Sequence, residues 1–374
     1  MRPEYDRKIV LEDGQEYYGY GFGADGDALC EIVFNTSMAG YQEILSDPSD
    51  TDQAVVMTYP LIGNYGMAEE DYETKIPTIG ALIVREYHDR PSNFRSTETL
   101  GAVMERFGIP GIHGIDTRML VRSIRDHGSR KAYITDVIRP KSDCLRILQE
   151  REMSHDQVAR VSSSAVRVAP ADPAIGERFR ITAIDCGMKE NIVRSLNRRG
   201  VTVTVVPWNT SAEEILATDP DGIFLSNGPG DPEDVPETIA TARELIGKRP
   251  VFGICLGHQI IALALGAKTY KLKFGHRGGN HPVMDLITGR IEITAQNHSY
   301  AVDEASLAGT GLAVTHRNLL DGTVEGLACA DRRVFSVQYH PESAPGPQDS
   351  GHLFDRFTAM MEAAGKEAGH AKEN

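Results

Sequence analysis

Short runs of β-branched and other apolar residues alternate with amphipathic segments after residue 178, and this alternation limits the possible folds more than any other feature of the sequence. The predicted strands are 179–185, 201–206, 222–226 and 251–254, and the predicted helices are 189–199, 213–217, 236–246 and 256–265. Strands that alternate with helices form βαβ units with a mostly parallel sheet. Several strands are apolar on both faces, as in a sheet covered by helices on both sides. The sequence therefore predicts a doubly wound α/β domain.

The first part of the chain has a different pattern and is predicted to form a small, β-rich α/β domain. Expected strands and helices there are 7–11, 28–34, 53–58 and 78–84, and 97–107 and 117–127, respectively. Asp13-Gly14 is a typical hairpin turn between the strand 8–11 and a second strand, 16–19. A chain of 374 residues is also long enough for two domains of ~100–200 residues each.

The expected boundaries follow from changes in composition. Residues 1–150 form the N-terminal domain, and 151–178, with a Ser-rich run at 162–164 and prolines at 170 and 173, form a linker. The α/β domain covers 179–365; past residue 268 we expect shorter strands and then a helix near 352–363. The polar residues 366–374 are expected to form a frayed tail.

Charge and cysteine spacing exclude several classes of protein. The formal net charge is −14, which argues against nucleic-acid binding because that requires a basic face. No apolar run reaches the ~20 residues that span a bilayer, and the first residues lack a signal-peptide core. We therefore expect no membrane contact and a cytoplasmic location. The five cysteines are far apart and include no C-x-x-C pair, so we expect no disulfide framework and no metal site.

The segment Gly253-Ile254-Cys255-Leu256-Gly257 carries the strongest chemical signal. It lies between a predicted strand and a predicted helix, which is the setting of a nucleophile elbow with cysteine in place of serine. The glycines permit a sharp turn, and the helix N-terminus favours the reactive thiolate. The alternative is an inert core cysteine, a common fate of free cysteines. The context favours Cys255 as a nucleophile.

His340 is the best candidate for the base that such a nucleophile needs. It follows a predicted strand that Pro341 must end, and Glu342 lies two residues further on. In an extended segment, residues two apart point the same way, so Glu342 can orient the imidazole. Alone, the pair would be better explained as a surface histidine beside a glutamate. Together with Cys255, it predicts a Cys-His-Glu triad.

The segment 227–232, Asn-Gly-Pro-Gly-Asp-Pro, also follows a predicted strand. It is either an ordinary surface turn or part of an oxyanion hole, in which a glycine N–H and the Leu256 N–H bind a substrate oxygen. The residues alone leave these two interpretations open. All three segments follow the carboxyl ends of strands, the edge at which open α/β sheets bind ligands.

These segments resemble the class I, triad-type glutamine amidotransferases, and the resemblance extends beyond one domain. Residues 252–259, 226–232 and 340–342 carry the match to that family. Further segments resemble the small subunits of carbamoyl phosphate synthetases, namely 34–45, 47–49, 59–64, 114–118, 274–283 and 296–302. Generic amidotransferases lack the N-terminal domain, so the chain is identified as a member of the small-subunit family.

The resemblance implies that Cys255 attacks the side-chain amide of L-glutamine and that His340 and Glu342 complete the triad. The residues implied to bind glutamine are Ser49, from the N-terminal domain, and Gly228, Gly230, Leu256, Gln259, Asn297, Ser299 and Tyr300. The resemblance also implies docking of the N-terminal domain to a large subunit, in a heterodimer or an assembly of heterodimers. That partner would use ATP and magnesium, with bicarbonate, to make carbamoyl phosphate for arginine synthesis, pyrimidine synthesis or both. No cofactor is expected on this chain.

Three alternatives remain at this point. The chain could serve an amidotransferase with another acceptor, although the N-terminal domain argues against this. It could be a stand-alone cysteine hydrolase of γ-glutamyl compounds, which would need no partner. It could also be a non-catalytic regulatory subunit, but an intact Cys255, His340 and Glu342 argue against that.

Overall fold

The computed structural model describes residues 5–373, with side chains described as far as Glu367. Residues 1–4 and Asn374, parts of the predicted N-terminal domain and tail, lie outside the described residues. Contacts divide the chain into two compact units: Met1–His155 with Lys273–Gly278, and Asp156–Leu272 with Gly279–Asn374. In the described part of the chain, no helix combines the length and apolar character needed to cross a membrane.

The first unit is rich in strands. Its strands are β1 (Arg7–Leu11), β2 (Glu16–Gly23), β3 (Ala28–Asn35), β4 (Gln53–Met57), β5 (Leu61–Ile62), β6 (Ala81–Ile83), β7 (Glu86–Tyr87), β8 (Pro110–His113) and β9 (Arg130–Asp136). Its helices are α1 (Tyr41–Leu45), α2 (Leu100–Arg106), α3 (Thr117–His127) and α4 (Lys141–Glu150). Helix α2 begins later than predicted because the Thr99 side chain accepts a hydrogen bond from Ala102 N and caps the first turn.

Seven of these strands form a closed barrel in the order β1-β2-β8-β6-β4-β3-β9. The predicted hairpin is present, since β1 pairs antiparallel with β2. The barrel closes because β1 also pairs with β9 along its other side, from Arg7–Asp136 to Leu11–Ala132. Its core is aliphatic, including Ile9, Ile32 and Val56. The predicted β-rich domain is thus a barrel with helices packed around it.

The second unit contains the remaining elements. Its strands are β10 (Arg167–Ala169), β11 (Phe179–Asp185), β12 (Val201–Pro207), β13 (Gly222–Leu225), β14 (Val251–Ile254), β15 (Thr269–Asp285), β16 (Ile291–Val302), β17 (Ala313–Asn318), β18 (Val324–Cys329) and β19 (Val334–Val337). Its helices are α5 (Gln157–Val161), α6 (Glu190–Asn197), α7 (Ala212–Ala217), α8 (Pro236–Leu245), α9 (Leu256–Ala264) and α10 (His352–Glu373).

These ten strands form one sheet in the order β10-β12-β11-β13-β14-β19-β18-β17-β15-β16. The five strands from β12 to β19 in this order are parallel, and antiparallel strands extend the sheet on both sides. Helices α6 and α10 pack their apolar side chains on one face of the parallel part, while α8 and α9 pack on the other. The predicted doubly wound α/β fold is confirmed.

Four details differ from the expectations. The predicted linker contains α5 and β10. Strand β10 forms because Arg167–Ala169 pairs antiparallel with β12 along the side of β12 that β11 does not occupy. The first two strands after residue 268 are long, with 17 residues in β15 and 12 in β16, whereas β17, β18 and β19 are short as expected. Residues 273–278 of β15 belong to the first unit, where Phe274 packs 5.7 Å from the ring of Phe34. The predicted tail is helical as far as Glu373.

Candidate active site

The candidate site lies at the carboxyl edge of the parallel strands. Strands β11, β13, β14 and β19 are neighbours in the sheet, so the segments that follow them meet at one edge. Those segments contain Lys189, Gly228, Cys255 and His340. Three of the four were singled out from the sequence, and Lys189 was not.

The backbone at Cys255 has the strained turn of a nucleophile elbow. Cys255 has φ 53° and ψ −104°, a conformation that residues with a side chain rarely adopt. A Cβ on Gly257 would lie 2.2 Å from the carbonyl oxygen of Leu225, and a Cβ on Gly253 would lie 2.7 Å from that of Gly257. Both glycines are therefore required for the close approach of α9 to the sheet.

The thiol of Cys255 is buried, with 2% of the residue exposed. The backbone N–H of Cys255 donates to Val337 O at 2.9 Å, which ties the elbow to the neighbouring strand β19. Its Sγ lies 3.6 Å from the carbonyl oxygen of Asn297, on β16. Cys255 also occupies the N-cap of α9, next to the unpaired backbone amides of the first turn.

His340 and Glu342 form a buried pair. Nδ1 of His340 lies 2.7 Å from Oε1 of Glu342, and their side chains are 2% and 0% exposed. Burial opposes the charged imidazolium, but the negative charges of Glu342 and Cys255 outweigh it and raise the pKa of His340. A side-chain hydrogen bond with Cys255 also raises the pKa of His340, so the imidazole is placed to exchange a proton with the thiol or with a substrate.

A third buried charged group, Lys189, lies beside this pair. Nζ of Lys189 lies 3.0 Å from Oε1 of Glu342, and the lysine side chain is 3% exposed. Burial opposes the charged carboxylate, but the positive charges of Lys189 and His340 lower the pKa of Glu342. The backbone N–H of Lys189 donates to Oδ1 of Asn227 at 3.1 Å, which fixes the start of α6. In the sequence, the position of Lys189 shortly after the strand β11 is the one feature that places it at this edge of the sheet.

The segment after β13 lies against the elbow. A Cβ on Gly228 would lie 2.2 Å from Cys186 O and 2.8 Å from Cδ2 of Leu256, so only glycine fits there. Gly230 has φ +85°, which glycine also favours. Leu256 is the first residue of α9, where a backbone N–H has no partner within the helix. Gly228 therefore packs against the Leu256 side chain, and the oxyanion hole formed by their backbone amides remains a prediction.

The other predicted glutamine-binding residues lie in three places. Gln259 belongs to the elbow helix, and its Nε2 donates to Tyr300 O at 2.8 Å and to Oε1 of Gln338 at 3.0 Å. Asn297, Ser299 and Tyr300 lie together on β16. Ser49 lies in the first unit, buried in the turn Pro48–Asp50, where its N–H donates to Oδ1 of Asp47 at 2.9 Å. Their contact with glutamine remains a prediction. Gln338 was not foreseen.

Comparisons with known proteins cover both units. A family model described as "Glutamine amidotransferase class-I" matches residues 182–360, and one described as "Carbamoyl-phosphate synthase small chain, CPSase domain" matches residues 9–134. The carbamoyl phosphate synthase small chain of Fusobacterium nucleatum is 51% identical over 94% of this chain and 97% of its own length. A carbamoyl phosphate synthase pyrimidine-specific small chain of Halalkalibacterium halodurans is 53% identical over 96% of this chain and 97% of its own length. The small chain of Staphylococcus haemolyticus is 51% identical over 95% of this chain and 96% of its own length. The chain therefore belongs to the carbamoyl phosphate synthase small chain family.

Proposed function

We propose that this chain is the glutamine-hydrolysing subunit of a carbamoyl phosphate synthase, with Cys255 as its nucleophile. The observation that carries the proposal is the strained elbow at Cys255, at the same sheet edge as the buried His340–Glu342 pair. L-Glutamine is the substrate, and the products of this chain are glutamate and ammonia.

The reaction begins with attack of the Cys255 sulfur on the side-chain amide carbon of glutamine. His340 holds the proton that the thiol gives up, because the negative charges of Glu342 and Cys255 favour its imidazolium form. The carbonyl oxygen becomes an oxyanion, and the Leu256 N–H, at the start of α9, and the backbone beside Gly228 are placed to bind it. Glu342 keeps its charge, so it can hold the imidazole ring in orientation.

The tetrahedral adduct then collapses to a thioester. His340 returns the proton to the leaving nitrogen, and ammonia departs. A water molecule next gives a proton to His340 and attacks the thioester carbon. His340 then gives this proton to the departing sulfur, which releases glutamate and regenerates the thiol. The charge of Lys189 lowers the pKa of Glu342, so the carboxylate stays ionised through both proton transfers.

The remaining chemistry belongs to a partner. Carbamoyl phosphate synthesis consumes ATP with magnesium, and we assign that step to a large subunit that receives the ammonia and also uses bicarbonate. We further propose a cytoplasmic heterodimer, or an assembly of heterodimers, in which the N-terminal domain docks to the large subunit. Its product supplies arginine synthesis, pyrimidine synthesis or both. The domains we assign are 1–150 for docking and 179–365 for hydrolysis.

An experiment separates this function from the alternatives. Cys255→Ser is nearly isosteric, so the complex should assemble, but a hydroxyl is a far poorer nucleophile than a thiolate. We expect the mutant complex to lose glutamine-dependent synthesis and to keep carbamoyl phosphate synthesis from added ammonia. Loss of both activities in a correctly assembled complex would overturn the division of labour. Full glutamine hydrolysis by the isolated chain would favour a stand-alone hydrolase.

A further inference from the structure

Helix α3 presents a row of arginines beside a cleft in the first unit. Arg118, Arg122 and Arg125 are spaced by four and three residues, so they lie along one face of the helix. The cleft has a volume of about 520 Å³, and its other lining residues are Thr58, Thr117 and Val121. The opposite face of α3 is buried through Leu120 and Ile124 in the core of the barrel.

Two of these arginines form no ion pair with the described residues, although the charge of Arg122 helps to lower the pKa of Asp126. Among the described residues, neither Arg118 nor Arg122 has an acidic group within ion-pair distance. Arg125 lies 2.8 Å from Asp126, its neighbour in sequence, but both side chains are about half exposed, so this contact is weak. The chain as a whole carries a formal net charge of −14. An uncompensated basic cleft on such an acidic protein is a local feature that its own folding does not use.

We propose that this arginine-lined cleft is a docking surface for a carboxylate-rich segment of the large subunit that receives the ammonia. The inference rests on the function proposed above, which gives the first unit a docking role but does not say which of its surfaces is used. Guanidinium groups on one helix face can pair with aspartates and glutamates in two-point contacts. The arginines attract an acidic partner to this face, while the net negative charge of the protein repels it from other faces.

The cleft is suited to side chains rather than to a small anion. Arg118 and Arg122 are exposed, and Thr58 and Val121 are half-buried, so the cleft offers a mixed polar and apolar surface. A protein segment can fill the cleft and pair its carboxylates with several arginines at once. Free phosphate would contact only part of this surface and would remain largely hydrated.

The test is the affinity of the full-length chain for the isolated large subunit, measured by titration calorimetry at low and high salt. The double variant Arg118→Glu/Arg122→Glu should bind at least about tenfold more weakly, because it replaces attraction with repulsion. Arg118→Lys/Arg122→Lys keeps the charge and should retain most of the affinity. The matched control is Lys75→Glu/Arg90→Glu, which reverses two exposed charges of the same unit outside the cleft and should bind like the wild type.

Every outcome bears on the proposal. Thermal unfolding of each variant shows whether it is folded; if the glutamate pair unfolds the chain, Arg118→Gln/Arg122→Gln replaces it. Wild-type affinity in the folded variant, or equal weakening in the control, overturns the docking surface while leaving the proposed function intact. Failure of the wild-type chain to bind the large subunit overturns both. Binding of inorganic phosphate that is lost in the double variant, with unchanged affinity for the large subunit, shows a small-anion site and also overturns the proposal.

Discussion

Nδ1 of His340 lies 2.7 Å from Oε1 of Glu342, and neither side chain has appreciable contact with solvent. In water such a pair would be weak, but in a buried setting the attraction is much stronger. The carboxylate therefore decides the protonation state of the imidazole. It also leaves Nε2 as the only ring nitrogen that can exchange a proton with Cys255 or a substrate.

Replacing the carboxylate should change the titration of the histidine. In Glu342→Gln we expect the pKa of His340 to fall. Burial and the charge of Lys189 both lower this pKa, and the variant removes the carboxylate charge that raises it. NMR of histidine-labelled protein measures this directly. Glu292→Gln is the control: Glu292 is also a buried glutamate, but it contacts Ser350 and His352. A pKa of His340 that stays raised in Glu342→Gln would contradict the assignment of Glu342.

Removing the buried lysine should destabilise the chain at neutral pH. Lys189→Met leaves Glu342 with less compensation, and breaking a buried ion pair costs about 3–5 kcal/mol of unfolding free energy. A lowered carboxyl pKa adds stability at neutral pH that is lost as the pH falls through the folded-state value. Without Lys189 the pKa of Glu342 rises, so the carboxylate contributes less stability at neutral pH, and the difference from the wild type should shrink as the pH falls towards acid. Urea unfolding across a pH series measures the difference.

Lys366→Met is the matched control for that series. Lys366 also pairs with a glutamate, Glu362, at 2.8 Å, but its side chain is 70% exposed. Its removal should change stability little at any pH, since exposed pairs contribute little. Equal effects of the two lysine variants on the free energy of unfolding would show that burial does not strengthen the Lys189–Glu342 ion pair.

A methyl group at Gly257 should displace the nucleophile. The added Cβ would meet Leu225 O at 2.2 Å, so α9 must move and carry Cys255 with it. We expect Gly257→Ala to lose about 1–3 kcal/mol of stability and glutamine hydrolysis to fall by ~100-fold. Gly365→Ala is the contrasting case: Gly365 lies exposed in α10 with open space around its Cα, so alanine should stabilise the helix.

His340→Asn should slow thioester formation while glutamine still binds. General acid–base help typically contributes about 10²–10⁴-fold to the rate, and asparagine cannot carry the proton. Rapid-quench measurement of the thioester separates this effect from binding. Glu342→Ala should slow the reaction less, because Glu342 orients the ring but does not transfer the proton. An unchanged turnover number in His340→Asn would remove His340 from the mechanism.

Local pattern was enough to predict the elbow. The strand Val251–Ile254 ends and the helix from Leu256 begins where predicted, on either side of Cys255. The hydrophobic periodicity of each element and the two glycines lie within a few residues of each other, so local sequence is sufficient. The same holds for α3, Thr117–His127, whose cap Asp116 and stop Gly128 adjoin it in sequence. The family and the α/β fold predicted from these segments are confirmed.

Long-range pairing was not predictable in the same way. Lys189 and Glu342 are far apart in the chain, and nothing in the local sequence around either residue indicates that they meet. The pairing of β1 with β9, which closes the barrel, and that of β10 with β12 likewise depend on contacts between distant segments. The lengths of β15 and β16 depend on their tertiary partners, because their many polar residues resemble loops in sequence.

Closure of the barrel also restricts how the first unit can recognise another protein. With β1 hydrogen-bonded to both β2 and β9, none of the seven barrel strands keeps a free row of backbone donors and acceptors. A partner therefore cannot bind by adding a strand to the barrel, a mode that open sheets permit, and the barrel is protected from edge-to-edge aggregation. Recognition at the barrel must depend on side chains, so single substitutions on its helices can alter partner choice without disturbing its fold.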